Sequence, residues 1–183
     1  LVSRRNFIKT AGTAGISLWL GLSAKGAIIK TSDIATAKNF SPFILVESNG
    51  NITIFNIKPE MGQGTFQSVP AVVAEEFEVS LDQVTIKNTS GEPEFGRGQR
   101  AGGSSSIRTG YNDYRKTGAA ARTVFIAAAA KRWQASPDTC YAQNGKVINT
   151  ANNQSLTYGE LVEEAARLDL PKEPKLKDPK DFT

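Results

Sequence analysis

The sequence contains no histidine and one cysteine, Cys140, in 183 residues. Without histidine this chain cannot build a Ser-His-Asp triad, a Cys-His nucleophile pair, or a zinc or non-haem iron site based on imidazole. One cysteine closes no internal disulfide and cannot hold an iron–sulfur cluster. No internal repeat is visible, and no Walker lysine follows either of the two glycine-rich loops described below. Any metal this chain uses is held by something other than these side chains.

Charge is less one-sided than the isoelectric point of about 9.2 suggests. Residues 1–37 carry Arg4, Arg5, Lys9, Lys25 and Lys30 against Asp33 alone, leaving 17 basic and 17 acidic residues beyond them. A chain cut after Ala37 is near neutral, which weakens any general electrostatic case for nucleic acid as a partner.

What is present begins with an address. Ser3-Arg4-Arg5-Asn6-Phe7-Ile8-Lys9 follows the twin-arginine export pattern, and Ala11 to Ala24 is a 14-residue stretch without charge. That stretch is short of the roughly 20 apolar residues of a membrane span and suits the apolar region of a signal. Ala35-Thr36-Ala37 is a small-x-small cleavage site. Residues 1–37 are therefore expected to be a signal peptide, 38–170 a folded domain, and 171–183 a linker or an extended strand lying against another chain. The expected location is the periplasm, reached in a folded state with any cofactor already inserted.

Along the remaining chain, apolar and polar residues alternate from Pro42 to Lys58 around Asn49-Gly50, predicting two antiparallel strands joined by a tight turn. Thr65 to Val79 places Phe66, Val69, Val72, Val73 and Phe77 near helical spacing, with Pro70 starting or kinking the helix. Val84 to Asn88 reads as a short strand, so strand, glycine loop, helix and strand make a βαβ-like unit. A loop from Ser90 to Ser106 precedes a long helix, from Ile107 or Tyr111 to Gln134, whose centre is nearly all alanine and should be buried. A second hairpin is expected over Cys140 to Asn149 around Asn144-Gly145, and an amphipathic helix over Ser155 to Leu168. The fold class is α+β, a two-layer domain with mixed strands and hairpins packed on two main helices.

Two glycine loops carry the candidate chemistry. In Glu60-Met61-Gly62-Gln63-Gly64, two glycines allow close approach of a ligand to backbone, and Gln63 offers both an acceptor and a donor. That combination suits a flat heterocycle with mixed donors and acceptors; a plain strand-to-helix turn with an exposed glutamine has the same spacing. In Gly102-Gly103-Ser104-Ser105-Ser106, backbone N–H groups and hydroxyls ahead of a helix favour an anion. Residues 96–134 hold eight basic residues against Asp113 alone, whereas residues 47–94 hold eight acids and two lysines. A phosphate or pyrophosphate is the natural guest, and a capped helix with a solvated basic face is the alternative. Glu75 and Glu76, adjacent on a helix, are expected to be solvated or hydrogen-bonded rather than a catalytic pair, and Cys140 a structural thiol.

These segments, with Val73-Ala74-Glu75-Glu76-Phe77, Ile107-Arg108, Gly118-Ala119-Ala120-Ala121-Arg122, Tyr158-Gly159-Glu160-Leu161 and the run from Leu176 to Phe182, resemble the molybdopterin-binding large subunit of the xanthine oxidase and aldehyde oxidase family. The branch they most resemble is the isoquinoline 1-oxidoreductase β-subunit type, which includes membrane-associated aldehyde dehydrogenases. The resemblance implies that Gln63, with Gly62 and Gly64, contacts the pterin. It implies that Gly103, Ser104, Ser105 and Ser106 bind the phosphates of molybdopterin cytosine dinucleotide, whose own sulfurs hold the metal. It further implies hydroxylation of an N-heterocycle or oxidation of an aldehyde, with water as the oxygen source.

The implied partners are the remainder of the large subunit (a separate chain if the gene is split), an iron–sulfur subunit and a membrane cytochrome c. Large subunits of this family are several times longer, and their general base is a glutamate far towards the C-terminus. No residue here is expected to be catalytic, and this part is expected to be inactive without the rest. The competing expectation is a non-catalytic exported module that binds a phosphorylated ligand or a partner chain.

Overall fold

A computed structural model describes residues 17–23 and 40–183. Strand β1 (Ser17–Ser23) pairs antiparallel with β2 (Phe40–Glu47), which pairs antiparallel with β3 (Ile52–Asn56). The other residues of the expected signal segment, including its arginine pair and cleavage site, lie outside the described residues. Helix α1 (Thr65–Phe77) then crosses over to β4 (Val84–Asn88), which pairs parallel with β3 from Ile52↔Val84 to Asn56↔Asn88. The βαβ unit read from the sequence is therefore real, and the sheet order is β1-β2-β3-β4. Helix α2 (Tyr111–Trp133) packs on α1 and on a second sheet of β5 (Cys140–Gln143), β6 (Lys146–Asn149) and β7 (Ser155–Thr157). Helix α3 (Tyr158–Ala165) completes an α+β architecture with three helices among the described residues.

Both Asn-Gly pairs turn the chain, by different geometries. Asn144 and Gly145 both take positive φ, at 49° and 72°, so two residues suffice to join β5 to β6. At the first hairpin only Gly50 is left-handed (φ 92°), and it closes a longer loop in which its N–H donates to Glu47 O. Gly in the final, left-handed position is the usual way to close a three-residue hairpin loop.

The core is built where α1, α2 and α3 meet the first sheet. Ile44, Val46 and Ile54 of the strands and Val69, Val73 and Phe77 of α1 are fully buried. Tyr158, at the first turn of α3, stacks on Phe77 and Phe125 with ring centroids 4.6 and 4.4 Å away, and its hydroxyl donates to Phe77 O at 2.7 Å. Each of these side chains contributes about 1.5–3 kcal/mol through burial alone. The alanine-rich centre of α2 is buried as expected, and Gly118 shows why it is small: a Cβ there would lie 2.2 Å from Val73 O. Pro70 sits inside α1, buried, without ending it.

Two expectations are corrected. Ser155 to Leu168 is not one helix, because Ser155–Thr157 pairs with β6 and Thr157 then caps α3. The Thr157 hydroxyl accepts from Glu160 N while Glu160 Oε2 accepts from Thr157 N, a reciprocal cap that fixes where the helix begins. The tail from Pro171, expected as a linker or as a strand against another chain, lies instead on α1 and α2 of its own chain. Arg115 and Arg122 donate to Lys177 O and Lys175 O, and Lys177 N donates to the Glu76 carboxylate.

Candidate functional site

The two glycine loops leave the same end of the parallel pair. β3 runs into Ile57-Lys58 and the 59–64 loop, and β4 runs into the 89–106 segment. Buried Asn56 ties the two strand ends together, donating to Asn88 Oδ1 and Lys58 O. Lys58 Nζ reaches across to Gly98 O at 2.7 Å, and a Cβ at Gly98 would meet Ile57 Cδ1 at 3.3 Å. Loops beyond the C-terminal ends of parallel strands are where α/β folds place ligands. Sequence spacing alone gave no sign that the end of β3 meets Gly98.

The first loop is internally satisfied. Gly62 and Gly64 both have positive φ, and an added Cβ at either would meet nothing within 4 Å, so the backbone is open to a ligand. Gln63 is exposed, but its amide is folded back: Nε2 donates to Pro59 O (2.7 Å) and Thr65 Oγ1 (3.2 Å), and Oε1 accepts from Met61 N at 2.6 Å. Both donor hydrogens of Gln63 and one lone pair of its Oε1 are thereby used within its own loop, leaving the second lone pair of Oε1 as its free contact. Glu60, given no role in the sequence reading, is the organiser. Its carboxylate accepts from Gly62 N, Gly64 N, Thr65 Oγ1 and Phe66 N, and these bonds hold it far down, at about 2, against an ordinary 4.5. The signal for it was positional: an acid shortly before a helix whose N-cap, Gly64, has no side chain.

The second loop is open. Gly103 and Ser104 are both left-handed, at 58° and 52°, in a turn closed by Ser105 N donating to Gly102 O. Ser105 Oγ also donates to Gly102 O, and Ser106 O accepts from the Tyr114 hydroxyl at 2.9 Å, which anchors the loop to α2. Burial, with Asp113 beside it, pushes the Tyr114 phenol up to about 12, so it stays a donor. Among the described residues, the N–H groups of Gly102, Gly103 and Ser104 and the hydroxyls of Ser104 and Ser106 meet no protein acceptor. The long helix starts only at Tyr111, so the available donors belong to the loop and not to the helix end.

The basic run divides in two. Arg115 and Arg122 are sunk against Glu76, which is fully buried: Arg115 Nε and Nη2 both meet Oε1 (2.7 and 2.6 Å), and Arg122 Nη1 meets Oε2 at 3.2 Å. Lys116 pairs with Glu173, and Arg132 with Glu164. Arg97, Arg100 and Arg108 remain exposed and meet no carboxylate among the described side chains. Burial and the neighbouring Arg100 guanidinium hold the Lys58 ammonium below its usual range. Two cations thus lie near each other, and neither pairs with a carboxylate among the described side chains.

Among the described residues, no group of His, Cys, Asp or Glu is placed to hold a metal ion, and no helix is long and apolar enough to cross a membrane. A separate cleft of about 260 Å³ lies between the Asn49-Gly50 and Asn144-Gly145 turns; neither glycine loop lines it.

A family model described as a molybdopterin cofactor-binding domain matches residues 5–182. The chain belongs to that family. It is 31% identical over 169 residues to isoquinoline 1-oxidoreductase subunit beta of Brevundimonas diminuta, covering 88% of this chain and 22% of the relative. It is 27% identical over 165 residues to a membrane-bound aldehyde dehydrogenase of Gluconacetobacter polyoxogenes, covering 88% and 21%. The crystal structure of quinoline 2-oxidoreductase from Pseudomonas putida superposes with a TM-score of 0.52 at 18% identity, over 98% of this chain and 25% of that one. The fold is therefore that of part of a molybdopterin-binding region, and the chain spans about a fifth of the length of the curated relatives it matches.

The cofactor of this family fits what the loops offer. Glycine backbone with open space above it accepts a flat ring edge, and the free N–H and hydroxyl donors of the second loop, two residues after Arg100, suit phosphate. Among the described residues no cluster of side chains is placed to hold a metal, which fits an organic group that brings its own metal ligands.

Proposed function

We propose that this chain provides the molybdenum-cofactor cradle of an oxidoreductase that hydroxylates N-heterocycles or oxidises aldehydes, with water as the oxygen source. The observation that carries this reading is a pair of glycine-rich loops in the segments that leave one end of the parallel strands, the first with open glycine backbone around Gln63, the second with free N–H and hydroxyl donors. When bound, the molybdenum cofactor supplies the two-electron oxidation. The chain's own part is to bind and orient it. Gly62, Gln63 and Gly64 present backbone and a carbonyl acceptor to the pterin edge. Gly103, Ser104, Ser105 and Ser106 surround the phosphates of a cytosine dinucleotide form, with Lys58 and Arg100 balancing their charge.

No described side chain beside Gln63 is free to act as a base, since Glu60 is occupied by four donors. The proton acceptor that hydroxylation needs therefore comes from the remainder of the subunit. An iron–sulfur subunit and a membrane cytochrome c carry the electrons away, and the assembled protein works in the periplasm after twin-arginine export.

The test is the chain assembled with the polypeptide that supplies the rest of the subunit, incubated with quinoline or an aldehyde in ¹⁸O-labelled water. The expected result is label in the hydroxylated or acid product. Unlabelled product, or none with any heterocycle or aldehyde, sinks the reading. Export is checked separately: Arg4→Lys with Arg5→Lys should abolish periplasmic accumulation, and normal accumulation would defeat the signal assignment.

A further inference from the structure

We propose that Glu60 is the positioning residue of the first glycine loop, and that its carboxylate occupies the loop's anion hole so that the loop accepts a neutral ring edge and refuses phosphate. The inference rests on the reading that this loop meets the pterin, and it goes beyond that reading by assigning the discrimination to a residue that touches no ligand.

The geometry is specific. Glu60 Oε1 accepts from Gly62 N at 2.7 Å and Gly64 N at 3.1 Å, while Oε2 accepts from Phe66 N at 2.7 Å and Thr65 Oγ1 at 3.1 Å. Gly64 and Phe66 stand at the start of α1, where the unpaired N–H groups and the helix dipole together attract an anion. Glu60 supplies that anion from within the chain. Two of its four donors flank Gln63, so the same bonds that fill the hole fix the left-handed Gly62 and Gly64 and set where Gln63 stands. The strongly lowered carboxyl keeps this internal anion charged across the range in which proteins fold.

The second loop has the opposite arrangement: comparable backbone donors, left unfilled, two residues after the exposed Arg100. One carboxylate thus sorts two glycine-rich loops. Without Glu60 both would compete for the phosphates, and the ring could seat in either orientation.

The experiment is amide NMR on the full ¹⁵N-labelled chain, following Gly62, Gly64 and Phe66 during titration with inorganic phosphate, and separately with formate. In the wild type these three amides should not respond to phosphate. In Glu60→Ala they should shift and saturate with phosphate, at concentrations at which the wild-type amides stay silent. Formate, which replaces the missing carboxylate, should return them towards their wild-type positions; a merely structural loss would not be rescued in that way.

Wild-type amides that respond saturably to phosphate overturn the proposal, as do Glu60→Ala amides that bind neither anion. Should Glu60→Ala fail to fold, the isosteric Glu60→Gln and the wild-type titration decide. The three Glu60→Gln amides should then bind phosphate more weakly than the open loop at Gly102–Ser104, and silence of that loop in the same sample overturns the sorting. None of these readouts needs the cofactor. If the amides behave as stated while the purified protein holds no molybdenum, the proposed function fails and the role of Glu60 stands. Molybdenum in a protein whose wild-type loop binds phosphate overturns Glu60 alone.

Discussion

The Glu76 cluster and the Gly102–Ser106 loop draw on one basic run, and they use it in opposite ways. At Glu76, two guanidinium groups and a backbone N–H converge on a fully buried carboxylate, and the arginines' remaining hydrogens hold the tail at Lys175 and Lys177. At the loop, Arg97, Arg100 and Arg108 are exposed and lack carboxylate partners among the described side chains. Charge counted along a sequence therefore does not distinguish charge consumed by the fold from charge left for a ligand. What separates the two here is a packed acid: Glu76 faces α2 across the tight contact at Gly118, and no described carboxylate pairs with Arg100.

The largest way to break this contrast is Glu76→Ala. The buried Arg115 and half-buried Arg122 would then face each other without a counter-charge, and breaking a buried pair from one side costs about 3–5 kcal/mol. Urea unfolding should show that loss, and a loss below about 1 kcal/mol would mean the cluster is solvated and the contrast false. Lys58→Met with Arg100→Met should do the reverse. Pyrophosphate affinity, measured by calorimetry, should fall roughly tenfold or more, since charge-assisted hydrogen bonds contribute about 1.5–3 kcal/mol. The urea midpoint should stay in place.

Dependence on pH sharpens the tail's side of the contrast. Burial opposes the Glu75 carboxylate, but its bonds from Lys177 and Thr183 hold its value below the ordinary 4.5. Burial likewise opposes the Lys177 ammonium, and its bonds to Glu75 and Glu78 hold it above 10.5. The Glu75 contribution is present above its unfolded value and lost as pH falls through its depressed folded value. The Lys177 contribution is present below its unfolded value and lost as pH rises through its raised one. Proteolysis or hydrogen exchange of residues 175–183 should therefore be slowest between about 4.5 and 10.5, speeding up on either side. A flat profile would show that the tail is held by packing alone. The smallest effect is expected at the exposed Lys116–Glu173 pair. Lys116→Ala should change stability by less than about 0.5 kcal/mol, and a larger loss would move Lys116 from the surface to the clip.

Much of the architecture was legible because it rests on local signals. The Asn-Gly turns, the alternation in β2 and β3, the spacing of α1 and the alanine centre of α2 each follow from a few adjacent residues. The helix expected over Ser155 to Leu168 failed at its start, where pairing with β6 overrides an apolar period and Thr157 sets the cap. The tail was misread because its lysines and prolines look like a linker, while its partners Glu75, Glu76, Arg115 and Arg122 lie 53 to 102 residues away. At the site, the glycines and serines could be picked out from their spacing. Glu60 and Lys58 could not, since their roles depend on the left-handed turn that closes around Glu60 and on the approach of Gly98 to the end of β3.

The most direct test of the central claim is the molybdenum content, by elemental mass spectrometry, of the complex that co-purifies with this chain, for the wild type and for Gln63→Ala. The account expects molybdenum in the wild-type complex and a clear reduction in the variant. A metal-free wild-type chain, or a variant with unchanged molybdenum, would contradict it.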